Sequence, residues 1–376
     1  MMSEVCKPRA HRAQLSCRAN NFPGSACFED QWTGIDATGK IALVKRGACA
    51  IAEKLKLAKA HGALGVILWT NAPGIPTSAT LSADNIGLLV PVAVIQQDVG
   101  LAWKARLTAG EKLTVNLLVD SIFEERESWN VLAETKAGDP NNVVFLGAHL
   151  DSVQAGPGVN DDGSGTSALL EIATAFRHYK TIPNKVRFAW WGAEESGLVG
   201  SLYYTSTLSE AEADKIRFYF NYDMIGSPFP TYAVYKNDGQ GGDLGAQTLL
   251  DYLVAAGKPA AYGGFGTSSD YVGFLTLGIP SSGIFTGAGA PTDPCYHLAC
   301  DTTDNINVEA LTLNSKAAGY AAAKFALSLE GVPARSKVSI NPRSRTQIRN
   351  ELAKWSATAV DAAHAKSCSH NSENVV

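Results

Sequence analysis

Residues 142–166 constrain the fold of this chain more than any other stretch. An apolar run at 142–150 ends in Gly147-Ala-His149-Leu-Asp151. A glycine-rich turn follows, Gly156-Pro-Gly-Val-Asn-Asp161-Asp162-Gly-Ser-Gly165, and an amphipathic segment spans 166–179. A strand that turns tightly into a helix opens a βαβ unit, and the alternation continues downstream. Apolar strands are expected at 186–191, 218–222 and 278–285, and helices at 244–256 and 310–329. This pattern predicts an α/β fold, a mainly parallel sheet flanked by helices. Ligands of such sheets lie beyond the carboxyl ends of the strands. His149, Glu194, Glu195 and Asp223 all fall there.

The same positions carry the chemistry. His149 and Asp151 are two apart, so in a strand they leave the same face. The glycines of the turn let the backbone bring Asp161 back toward His149. Downstream, Trp191-Gly-Ala-Glu194-Glu195 and Asn221-Tyr-Asp223 follow apolar runs, and Tyr296-His297 lies between Cys295 and Cys300. The adjacent Glu194 and Glu195 would face opposite ways in a regular strand, which lets one hold metal while the other handles protons. Two imidazoles and several carboxylates without thiolates suit a pair of zinc or similar divalent ions. Asp162 reads as a turn carboxylate that begins the next helix. His11, His61, His178, His364 and His370 sit in polar or helix-surface contexts and read as structural or solvated.

This set resembles the co-catalytic zinc aminopeptidases of the secreted leucyl-aminopeptidase type. The resemblance implies a zinc exopeptidase fold of the phosphorylase/hydrolase-like kind and two Zn2+ per chain. It implies His149 and Asp223 on one metal, Glu195 and His297 on the other, and Asp161 bridging both. Glu194 is then the general base, Tyr296 supports the developing oxyanion, and Asp151 holds the His149 imidazole in one tautomer. Two metals held ~3.5–4 Å apart lower the pKa of a water between them. The implied reaction removes N-terminal residues, apolar by expectation, from peptides with a free N-terminus.

Earlier in the chain, Gly39-Lys-Ile-Ala-Leu-Val-Lys-Arg-Gly47, a helical segment at 50–61, Gly62-Ala-Leu-Gly-Val-Ile-Leu-Trp69 and a strand at 90–95 resemble the protease-associated domain. That domain is a small α/β module inserted in several secreted peptidases. The organisation implied is an N-terminal segment 1–26 left from the start of a peptidase, the protease-associated domain at 27–118, and the zinc peptidase catalytic domain at 119–332. Residues 333–376 would add a charged helix at 344–365 and a polar tail. Three local departures stand out. Ser268 occupies the place where many relatives have an arginine before Ser269-Asp270, and the 287–293 loop is short. Val308 and Thr312 stand where some relatives have acidic calcium ligands.

Bulk properties narrow the classes further. The chain has 376 residues, 45% hydrophobic and 18% charged, room for two domains of ordinary globular composition. A net charge of −4 and no basic stripe with interleaved aromatics argue against a nucleic-acid partner. No run of 18 apolar residues is present, which argues against a membrane span. Residues 1–20 are polar, carry Lys7, Arg9, Arg12 and Arg18, and lack the apolar core of a signal peptide. Among seven cysteines, Cys27 with Cys49 and Cys295 with Cys300 are candidate disulfides, which would place the protein in an oxidising, extracellular setting. A monomer is the expected state.

Two other functions compete. A metallo-carboxypeptidase or dipeptidase would need a cationic clamp for a terminal carboxylate, with Arg187 and Arg217 as the strand-borne candidates. A non-catalytic binding protein on this scaffold would be favoured by lost metal ligands, and all five positions retain theirs.

Overall fold

Apolar runs that alternate between two covered faces build two sheets here, in units that divide between Arg126 and Glu127. The computed structural model describes residues 10–21, 26–71, 85, 87–122, 126–236 and 243–337.

The first unit holds a five-stranded sheet. Its strands are β1 (Ala10–Asn21), β2 (Ile41–Lys45), β3 (Gly65–Trp69), β4 (Val92–Ile95) and β5 (Thr114–Ile122), in the order β4-β3-β2-β1-β5. All neighbours are parallel except β1 and β5. Helix α1 (Ile51–Ala60) joins β2 to β3, and α2 (Gln97–Thr108) joins β4 to β5. Successive side chains of a strand point to opposite faces, and both faces are apolar. Ala42, Val44, Val66 and Leu68 pack with Leu55 and Ala58 of α1, while Ile41, Leu43, Ile67 and Trp69 pack with Trp103 and Leu107 of α2. Gly100 lets α2 lie on the sheet, because a Cβ there would come within 2.3 Å of Trp69 Cβ. Cys27 and Cys49 form a disulfide beside this core.

Within the segment 1–26, expected as a peptidase remnant, the described residues 10–21 form a strand of the first unit. Ala10–Asn21 is β1, parallel to β2 and antiparallel to β5 over most of its length, inside the sheet of the first unit. Its polar composition hid the strand, since no clean apolar alternation marks it.

The second unit holds a seven-stranded sheet in the order β11-β10-β12-β9-β7-β8-β6. The strands are β6 (Val131–Glu134), β7 (Asp139–His149), β8 (Asn184–Trp191), β9 (Ile216–Tyr222), β10 (Tyr232–Tyr235), β11 (Ala260–Gly263) and β12 (Ser281–Phe285). The central four, β8, β7, β9 and β12, are parallel. β6 is antiparallel to β8, and β10 is antiparallel to β12. The helices are α3 (Gly163–Phe176), α4 (Val199–Thr207), α5 (Glu210–Lys215), α6 (Asp243–Ala255), α7 (Tyr271–Thr276) and α8 (Val308–Leu327).

One face of this sheet, with Val144, Leu146, Phe188, Phe218 and Phe220, packs on α3, α6 and α8. The other, with Phe145, Trp191 and Tyr219, packs on α4 and α7. A sheet covered on both sides reads as continuous apolar runs, which is why these strands were legible. β6, β10 and β11 are four residues each and α7 is six, too short to show a period, and they were not anticipated. The helix expected at 344–365 lies outside the described residues. Among the described residues no helix is long and apolar enough to cross a membrane.

Gly147 sits where the sheet is tightest beneath the strand ends. A Cβ there would fall 2.2 Å from Tyr219 Oη and 2.5 Å from Trp191 Nε1, the pair joined by a 3.0 Å hydrogen bond. Gly147→Ala is expected to cost about 1–3 kcal/mol by overpacking. The measurement is the urea midpoint, and an unchanged midpoint would show that the space is not filled.

Candidate metal centre and active site

Three parallel strands, β8, β7 and β9, end side by side, and the candidate residues lie at or just past their last residues. His149 is the final residue of β7, Glu194 and Glu195 follow β8, and Asp223 follows β9. The chain turns sharply in three of the loops that carry the candidate residues. Ala193, Met224 and His297 have φ of 55°, 51° and 59°, a left-handed conformation uncommon for residues with a side chain and typical of functional loops.

Asp162 organises this end of the sheet. Its carboxylate accepts from Gly165 N at 2.9 Å, capping α3, and also from His149 N and Met224 N at 3.1 Å each. It begins the helix as expected, and it also ties the end of β7 to the residue after Asp223. Thr166 Oγ1 donates to the His149 carbonyl at 2.5 Å.

All five expected metal ligands come together. His149 Nε2 lies 3.1 Å from Asp161 Oδ1 and 3.7 Å from Asp223 Oδ1. His297 Nε2 lies 3.1 Å from Asp161 Oδ2 and 3.0 Å from Glu195 Oε2. Asp161 thus offers one oxygen to each imidazole, and two triads share it: His149, Asp161, Asp223 and Asp161, Glu195, His297. Within each triad the donor atoms lie within 4.8 Å of one another.

The electrostatics call for cations there. Burial opposes charge on His149, yet hydrogen bonds and attraction from Asp161 and Asp223 together hold its pKa well above the ordinary value. His297 is raised to about 9 against its burial by Asp161 and Glu195. Asp161 is lowered to about 2 despite burial, by the two imidazoles. Glu195 Oε1 is buried without a hydrogen-bond partner among the described residues. Buried oxygen and imidazole donors in excess of positive charge, with an oxygen to spare, fit a divalent ion in each triad.

Around the triads the details are more specific than expected. The Asp151 carboxylate accepts from the backbone N–H of Glu194 (2.9 Å) and Glu195 (3.2 Å). It is the Asp151 carbonyl that meets His149 Nδ1, at 3.0 Å, with the nearest carboxylate oxygen at 3.8 Å. Asp151 therefore holds the imidazole with its main chain and the glutamates with its side chain. Ser269, which had no assigned role, donates to Asp223 Oδ2 at 2.7 Å. It ends a buried chain in which Trp191 Nε1 donates to Tyr219 Oη, Tyr219 to Asn221 Oδ1, and Asn221 Nδ2 to Ser269 Oγ. No local pattern marks such a chain, because its members come from two strands and a loop.

Glu194 is buried, with Oε2 4.0 Å from His149 Nε2. Burial first, and then the carboxylates of Asp270, Asp223 and Glu195, hold its pKa well above the ordinary value. Burial likewise pushes Asp270 up to about 7. The Tyr296 ring stacks on His297 with centroids 3.8 Å apart, and burial with nearby Asp161 and Glu195 raises its pKa. Cys295 and Cys300 form a disulfide that closes a ring around both residues. A cavity of about 350 Å3 opens here, reached by Glu194, Glu195 and Tyr296 and walled by Met224, Tyr235 and Phe285.

Other residues are committed elsewhere. Arg187 binds Glu134 and Tyr204, and Arg217 binds Asn142 and the Val332 carbonyl, so neither cation serves the cavity. His61 meets Glu29 and stacks on Trp32, and His178 is exposed. His364 and His370 lie outside the described residues.

Comparison with known proteins agrees with this geometry. Residues 130–322 match the model of peptidase family M28, and residues 6–103 match the PA domain. The chain belongs to peptidase family M28 and carries a PA domain; it is a metallopeptidase of that family. It is 38% identical over 359 residues to leucine aminopeptidase 2 of Arthroderma otae, covering 88% of this chain and 70% of the relative. It is 41% identical over 370 residues to a probable leucine aminopeptidase 2 of Aspergillus oryzae, covering 91% and 72%. Among solved structures, an aminopeptidase from Aneurinibacillus sp. strain AM-1 aligns with a TM-score of 0.65 and 29% identity, covering 89% of this chain and 79% of that one. A zinc aminopeptidase from Bacillus subtilis aligns with a TM-score of 0.62 and 27% identity, covering 86% and 79%.

Asp162→Ala removes a helix cap, worth ~1 kcal/mol, and strands two buried N–H groups at ~1–3 kcal/mol each. A loss of about 3 kcal/mol or more is expected in denaturant unfolding. A loss near that of the cap alone would mean that the His149 and Met224 amides find other acceptors.

Proposed function

We propose that this chain is a zinc-dependent aminopeptidase that removes apolar N-terminal residues from peptides, with one zinc ion in each triad. The observation that carries the proposal is Asp161 shared between two imidazoles, with Glu194 beside them at the mouth of an apolar-walled cavity. The relatives named as leucine aminopeptidases and the solved zinc aminopeptidase support the same reading.

In this reading His149, Asp161 and Asp223 hold one ion and Asp161, Glu195 and His297 the other. The bound ions would supply Lewis acidity, lowering the pKa of a water and polarising a carbonyl. Glu194 takes a proton from the water and returns it to the leaving amine, a role suited by its burial beside the two triads. Tyr296, stacked on His297 at the cavity wall, donates to the oxygen on which negative charge develops. The free α-ammonium of the substrate is attracted to the remaining carboxylates, which favours chain ends over interior bonds. Met224, Tyr235 and Phe285 would receive an apolar side chain. The two disulfides support an extracellular setting.

A chelator should abolish hydrolysis of a leucine anilide and zinc should restore it, while an N-acetylated substrate should resist cleavage. Full activity in metal-free protein would rule out the mechanism. Glu194→Gln should retain zinc and lose ~10²–10⁴ in turnover, whereas Glu195→Gln should lose occupancy of one zinc. Exchanged phenotypes would reverse the two roles. Peptide mapping without reductant should find Cys295 linked to Cys300, and reduction should lower activity before the fold is lost. Free thiols at both positions in fully active protein would remove the ring as a support for His297.

A further inference from the structure

Three consecutive amides of the turn that carries Asp161 are held by a single residue. Val159 N–H donates to the Asp301 carbonyl at 3.1 Å, Asn160 N–H to Asp301 Oδ1 at 3.0 Å, and Asp161 N–H to Asp301 Oδ2 at 3.1 Å. Asp301 is 2% exposed. It follows Cys300, which closes the disulfide ring around Tyr296 and His297, and its own N–H returns to the Leu298 carbonyl at 3.0 Å. The residue that grips the turn is therefore fixed to the ring that carries the other imidazole.

A second buried acid, Asp293, stands at the opposite end of the ring. Its Oδ1 accepts from Cys295 N at 3.0 Å and Asn305 Nδ2 at 2.8 Å, and its Oδ2 from Asn160 Nδ2 at 2.7 Å. Asn305 Nδ2 also donates to Asp301 Oδ1 at 3.1 Å. Three N–H donors converge on the two oxygens of Asp301, so an amide in its place would set an NH2 group against at least one of them. Asp161 gives one oxygen to His149 and the other to His297. A tilt of its backbone would therefore weaken one contact as it shortened the other.

We propose that Asp301 is a positioning residue that sets Asp161 relative to His297, so that the two triads are built as one unit. The proposal rests on Asp161 and His297 being metal ligands. Neither acid lines the cavity of about 350 Å3, so the effect of Asp301 should appear in metal binding itself. Partners that orient metal ligands typically cost ~10–100-fold in metal affinity when replaced.

The test is zinc dissociation constants of the full chain, measured by competition with a chromophoric chelator. Asp301→Asn should weaken at least one site by ~10-fold or more. Asn184→Ala at the start of β8, which removes a buried hydrogen bond to the Phe325 carbonyl away from the turn and the ring, should leave both constants near those of the unaltered chain. Equal weakening by the two variants would reduce Asp301 to a structural acid and overturn the proposal. So would unchanged zinc affinity in Asp301→Asn while Asp161→Ala loses zinc. If Asp161→Ala itself keeps both zinc ions, the ligand assignment fails instead, and the proposal with it.

Should Asp301→Asn not fold, hydrogen exchange on the unaltered metal-free chain decides. The amides of Asn160 and Asp161 should open together with those of Leu298 and Asp301. Turn amides that exchange independently of the ring would overturn the proposal.

Discussion

The carboxylate of Asp161 is the contact on which this catalytic unit turns. It lies between His149, at the end of a central strand, and His297, in a loop more than a hundred residues later. Carboxylates buried this deeply are tolerated only when paired with positive charge or held by hydrogen bonds. The structure divides its buried acids along that line. Asp162, Asp293 and Asp301 are satisfied by N–H donors and hold the segments that carry the other acids. Asp161, Asp223 and Glu195 face imidazoles and retain capacity for a cation.

That division explains how one sheet end keeps chemistry and stability apart. The acids that accept amide hydrogens tie together segments that otherwise have no regular structure in common: the end of β7, the start of α3, the residue after Asp223 and the disulfide ring. Left-handed backbone at Ala193, Met224 and His297 turns the chain at or beside Glu194, Asp223 and His297. Such conformations cost energy and persist only when neighbours over-determine them. The amide-held carboxylates and the Trp191–Tyr219–Asn221–Ser269 chain provide that over-determination.

Glu194 and Glu195 illustrate how adjacent residues acquire different environments. Regular strand alternation would have separated them by pointing one into each face. The structure separates them differently: both lie past the end of β8, in a loop whose amides are held by Asp151. Glu195 reaches His297, and Glu194 stays near His149 within a group of carboxylates. The two side chains are set apart by a shared carboxylate clamp rather than by strand geometry.

The α/β architecture, the central strands and the five residues that the two triads bring together were readable in the sequence. Buried parallel strands show as unbroken apolar runs, and ligands cluster where those runs stop. Glycines at 156–165 marked the turn. Other features were decided by tertiary structure alone. The polar stretch at 10–21 became a strand because β2 and β5 supply its partners. The four-residue edge strands exist only as additions to a sheet already formed. Ser269, Asp293 and Asp301 gained their roles from contacts across 46 to 141 residues of sequence. A hydrogen bond at that separation leaves no periodicity behind, since it depends on where the completed sheet delivers the two ends.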